Sequence, residues 1–98
     1  MSVNFKTSLK DTFGQNLKYY RYQKGYSQEK LAEMVDLNSK YVSDIETGKY
    51  SVSFENIERI AKVLSIEAYL LFKFDDTHNK LPLRVDMHRV TKYHINKN

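Results

Sequence analysis

The sequence predicts an all-α domain of five short helices followed by a C-terminal extension that is a candidate β-strand arm. Three observations carry this expectation. Residues 26–72 hold one Gly and no Pro, which suits helices joined by short turns and disfavours a hairpin-rich sheet. Apolar residues recur at helical spacing between candidate caps. The chain has 98 residues, 41% apolar and 13% aromatic, enough for one compact core and too few for two.

The helices follow in order. Thr12 is the expected N-cap of the first, with Gln15 reaching back in a capping-box arrangement, and Phe13, Leu17 and Tyr20 fall on one face. Gly25 after Lys24 suits the left-handed residue that closes a helix, and Lys18, Arg21 and Lys24 favour the negative end of its dipole. Ser27 caps the second helix, Gln28 to Met34, with Leu31, Ala32 and Val35 inward. After the Asp36-Leu37 turn, Asn38 caps a third helix, Ser39 to Glu46, with Val42 and Ile45 inward and Thr47-Gly48 as its stop. Ser53 caps a fourth with Phe54, Ile57, Ile60, Ala61 and Leu64 as its apolar set, and Ser65 a short fifth through Phe72.

Charge is unevenly placed. The net charge is +4, but residues 1–72 carry ten basic against nine acidic groups, a balance of +1, and residues 73–98 carry the other +3. That shift, with the polar run from Asp75 to Lys80, divides the chain into an N-terminal arm (1–11), a helical domain (12–72) and a basic extension (73–98). Within the extension, Leu81, Leu83, Val85 and Met87 alternate with polar residues as in a half-buried strand. Leu83, Met87 and Val90 also fit a helix opening at Pro82, and the β-branched content favours the strand. A lone strand needs a mate, from a second copy or a partner. With no Cys, disulfides, thiol nucleophiles and Cys-based zinc sites are excluded. No apolar run reaches membrane length and no secretory signal is read, so a cytoplasmic protein is expected. His78, His88 and His94 have no helical i, i+4 partner and read as surface residues; neither a metal, a cofactor nor a catalytic set is expected, and the chain reads as a non-enzyme.

The second and third helices carry the most specific pattern. A three-residue turn between them, apolar Leu31, Val35, Leu37, Val42 and Ile45, and a small Ala32 at the crossing describe two helices meeting steeply and closely, the helix-turn-helix geometry. From Phe13 to Phe72 the chain resembles the Cro/repressor-type (XRE-like) helix-turn-helix family. The likeness lies in FGQNLKYYRYQKGYSQEKLAEMVDLNSKYVSDIETGKY and FENIERIAKVLSIEAYLLF, above all at Gly25 to Ala32 and Tyr41 to Lys49. It implies a five-helix, lambda-repressor-like fold, duplex DNA as partner, usually a homodimer, and a role in transcriptional regulation.

On the third helix, about 100° per residue sets Lys40, Ser43, Asp44 and Thr47 opposite Val42 and Ile45, with Ser39 lateral near the N-terminus. The resemblance implies that Ser39, Lys40 and Asp44 face base edges, while Gln28, Asn38, Tyr41, Thr47 and Lys49 hold phosphates or neighbouring recognition residues. Lys40 suits guanine N7 and O6; Asp44, which only accepts, suits a cytosine amine or pairing with Lys40 four residues earlier. Asp44 departs from the family pattern, as does Asp36 at a turn position where Gly is usual. The resemblance also implies that Arg21 pairs with Glu46, tying the first helix to the third. The cluster Tyr19, Tyr20, Tyr22 and Tyr26 invites base stacking, but consecutive helical residues diverge by about 100° and form no single platform; Tyr20 reads as core. The expected function is a repressor reading a palindromic operator with residues 39–46 in the major groove. The alternative is an antitoxin or phage-type accessory protein that binds a partner protein through residues 73–98 and autoregulates.

Overall fold

The computed structural model describes residues 8–74. They form four α-helices and one 3-10 helix: α1 (Leu9–Lys24), α2 (Gln28–Val35), α3 (Ser39–Glu46), α4 (Phe54–Leu64) and the 3-10 turn Ala68–Leu71. Among the described residues there is no strand. The extension expected to form an arm, and its three histidines, lie outside them.

Each α-helix opens on a side chain that takes up an orphan N–H. Ser8, Ser27, Asn38 and Ser53 accept from the amides of Asp11, Lys30, Tyr41 and Asn56 at 2.8–3.1 Å. Three of these caps are the expected ones. The first is not: α1 begins a turn earlier, on Ser8, and Thr12 is a buried residue inside it.

Three helices end directly on a left-handed residue and α3 reaches one a residue later, after Thr47 (φ −98°); in all four the next N–H reaches back to a carbonyl of the helix's last turn. Gly25, Asp36, Gly48 and Ser65 have φ of 73°, 62°, 78° and 58°. Tyr26, Leu37, Lys49 and Ile66 donate to the carbonyls of Arg21, Ala32, Asp44 and Ala61 at 2.8–3.1 Å. Ser65 therefore closes α4 and does not cap a fifth α-helix. The segment after it is the 3-10 turn, which lacks a side-chain cap.

The core gathers Phe13 and Leu17 from α1, Leu31, Ala32 and Val35 from α2, Val42 and Ile45 from α3, Ile57, Ile60, Ala61 and Leu64 from α4, and Leu71. Burying such side chains is the main favourable term in folding. Tyr20 packs on its margin, and the buried tyrosine of α1 is Tyr22. Phe54, expected in the inward stripe, is 84% exposed. It occupies the first position of α4 and borders an open groove with Leu9, Tyr50, Val52 and Phe72. Asn16 ties the chain's return to α1, its Nδ2 donating to the carbonyls of Leu71 (3.0 Å) and Lys73 (2.8 Å).

Gly14 fixes how closely α1 approaches α3. A Cβ there would overlap the carbonyl oxygens of Ile45 and Glu46. We therefore expect Gly14→Ala to destabilise by about 2 kcal/mol or more, through clash with rigid backbone. Asp36→Gly should do the reverse, relieving a left-handed Asp by about 1 kcal/mol and raising Tm by roughly 4–8 °C. Thermal melts of the two variants check both signs.

Candidate nucleic-acid interface

The helix α3 is too short to hold its own orientation, since eight isolated residues are not a stable helix in water. Val42 and Ile45 bury one side of it, and its C-terminal end is fastened to α1 by a buried ion pair. Arg21, 1% exposed, donates from Nε to Glu46 Oε2 at 2.6 Å and from Nη2 to Glu46 Oε1 at 2.9 Å. Its third direction is used too, because Nη1 donates to the Tyr26 carbonyl at 2.8 Å. The Tyr22 ring lies 5.1 Å from the guanidinium. Glu46 accepts once more, from Gln28 Nε2 at 3.0 Å, so α1, α2 and α3 meet at one carboxylate. The planar fork of Arg matches a carboxylate in two parallel bonds, which fixes angle as well as distance.

The residues expected to meet DNA fall into three groups. Gln28 is held by Glu46 on the α2 side. Ser39, half-buried, and Lys40, exposed, lie at the α3 N-terminus behind the exposed cap Asn38, and Ser43 is half-exposed one turn on. At the far end are Thr47 and Lys49, both exposed. Thr47 Oγ1 donates back to its own helix, to the carbonyls of Ser43 (3.1 Å) and Asp44 (3.2 Å). Tyr41 stands apart, its hydroxyl donating to the Ser51 carbonyl at 3.2 Å and its ring 6.1 Å from that of Tyr50.

Asp44 does not sit where the helical projection puts it. It is 6% exposed, with Lys40 Nζ at 3.4 Å and Lys49 Nζ at 4.0 Å from its two oxygens. The turn after α3 brings Lys49 back beside it, its N–H bonding the Asp44 carbonyl at 2.9 Å. One acid of α2 and one of α4 pair within their own helices, Glu33 near Lys30 at 3.9 Å and Glu55 near Arg59 at 3.3 Å. Tyr50 was missed by sequence reasoning; an aromatic next to Lys49 in a turn was the available signal. Among the described residues no group of acidic or His side chains could hold a metal, and no helix is long and apolar enough to cross a membrane.

Comparison with known proteins bears on the family and the fold. A family model described as helix-turn-helix matches residues 17–71. The chain is 44% identical over 68 residues to control protein C.BamHI of Bacillus amyloliquefaciens, spanning 68% of this chain and 84% of that one. It is 36% identical over 56 residues to the immunity repressor protein of Bacillus phage phi105, covering 57% of this chain and 39% of the repressor. Among solved structures it resembles the restriction-modification controller protein C.AhdI from Aeromonas hydrophila. There the TM-score is 0.62 and the identity 43%, over 64% of this chain and 96% of that one.

Arg21→Met leaves Glu46 buried without its counter-charge, and we expect a loss of about 3–5 kcal/mol in urea or guanidinium unfolding. A loss below about 1 kcal/mol would show that the fork does not hold α3 to α1.

Proposed function

Because the chain belongs to the helix-turn-helix family, we propose that it is a DNA-binding transcriptional regulator of repressor type, sequence-specific, with α3 as the helix that enters the major groove. One observation carries the placement of the site. On the polar side of α3 Lys40 and the following Thr47 and Lys49 are exposed and Ser39 and Ser43 partly so, while the opposite side is fixed by the core and by the Arg21–Glu46 fork. A rigid helix with a free polar face and its N-terminus forward is the geometry with which such proteins read base edges.

Roles follow from chemistry and position. Lys40, its side chain 82% exposed, is the candidate donor to guanine N7 and O6. Ser39 offers a permissive hydroxyl beside it. Asn38, Gln28, Thr47, Tyr41 and Lys49 are assigned to phosphates or to steadying those residues, contacts that set register and carry no sequence information directly. We further propose that two copies act together on a palindromic operator, their α3 helices spaced by about 34 Å, one turn of duplex. We take residues 12–72 as the helical domain, with the first turn of α1 preceding them, and residues 73–98 as candidates for a dimer arm or a protein contact.

Selection of bound sites from random duplex DNA tests the reading, with a palindromic consensus as the expected product. On that consensus Lys40→Ala should lose about 1–3 kcal/mol of binding and relax the preference at one position per half-site, read by titration on matched and mutated duplexes. An equal loss on consensus and random DNA would assign Lys40 to a phosphate instead.

A further inference from the structure

The surface proposed to meet DNA holds an acid, Asp44, close to two of its own basic groups. Its side chain is 8% exposed, whereas those of Lys40 and Lys49 are 82% and 68% exposed. The carboxylate is therefore recessed behind the ammonium groups and does not present itself to a base edge. Both contacts are long, 3.4 and 4.0 Å, and both are made by single-point lysine charges on flexible stems, unlike the tight fork of Arg21 and Glu46. Such contacts hold the lysines near the α3 surface and release them readily to a stronger anion.

We propose that Asp44 is a built-in counter-ion of this interface: it holds Lys40 and Lys49 in the free chain, competes with the negative potential of the duplex for them, and reads no base. This rests on the DNA-binding reading above. Two lysines and one acid bring a local charge of +1 to the duplex where two lysines alone bring +2. Since binding to duplex DNA is driven largely by counterions released as phosphates are neutralised, the acid lowers affinity on every sequence alike and makes binding less salt-dependent. A recessed acid of this kind lowers binding to selected and random duplexes by the same factor, so it sets the overall affinity and leaves the specificity ratio unchanged.

The test is Asp44→Asn, which keeps the shape and removes the charge, compared with the unmodified chain on a selected site and on a random-sequence duplex across a salt series. A thermal melt establishes that the variant is folded, and Asp44→Ser repeats the measurement should the Asn variant be unfolded. We expect tighter binding on both duplexes, by roughly 3- to 10-fold near 0.1 M salt, and a log-log salt slope steeper by about 0.9. The slope separates competition for the lysines from a merely structural role, which leaves it unmoved. Weaker binding on the selected site with random DNA unchanged makes Asp44 a base reader and overturns the proposal. Unchanged affinity and slope on both duplexes overturns it as well, while leaving the DNA-binding reading intact. Binding of neither duplex by the unmodified chain sinks that reading and this one with it.

Discussion

The orientation of α3 depends on one buried contact, the fork between Arg21 and Glu46. Burying an arginine and a glutamate costs desolvation that their attraction only offsets when the remaining polar directions are satisfied. Here they are: the guanidinium also donates to the Tyr26 carbonyl, and the carboxylate also accepts from Gln28. Among the described residues no buried side-chain polar atom lacks a hydrogen-bond partner. A greasy pair of similar volume could fill the same space, but it would not fix the angle between α1 and α3 as two parallel hydrogen bonds do. For a helix of two turns that must present one face to a partner, angular definition is the useful property. Gly14 serves the same end by letting α1 lie against the last carbonyls of α3.

Placement of charge matters more than its amount. The helical domain is close to neutral, and the +4 of the whole chain belongs mostly to residues 73–98. The domain sorts its charges locally: Glu33 of α2 and Glu55 of α4 pair with bases of their own helices, while Lys40 and Lys49 stand exposed on and just after α3. Asp44 between those two lysines tempers the face. An interface built this way draws its selectivity from a few positioned donors more than from long-range attraction.

Much of this was legible in the sequence because helix-end chemistry is local. Ser27, Asn38, Ser53 and Gly25 declare themselves by residue type and by the apolar stripe that starts or stops beside them. Thr12 misled because Ser8, four residues earlier, offers the same hydroxyl with Asp11 three residues on, and no apolar stripe in that first turn chooses between them. Ser65 misled because a left-handed residue is normally announced by Gly, and a serine at a helix boundary reads as a beginning. Phe54 fits the periodicity of α4 yet lies at its first position beside an open groove, a matter of where neighbouring elements end. The angle of Asp44 on α3 was computable, but its burial is a property of the packed chain and not of helical angle. Gly14 carried a readable signal: glycine inside a helix is unfavourable and asks for a packing reason. The pairing of Arg21 with Glu46 came from family likeness, since 25 residues separate the two and no local rule joins them.

The central claim is that a rigid α3, held to α1 by the fork, meets the duplex with its outward face. A crystal structure of the chain on a selected duplex tests this most directly. The account predicts residues 39–47 of each copy in the major groove, the Arg21–Glu46 bonds unbroken, and Lys40 and Lys49 turned from Asp44 toward the DNA. A complex in which another element fills the groove, or in which Arg21 leaves Glu46 for a phosphate, would contradict it.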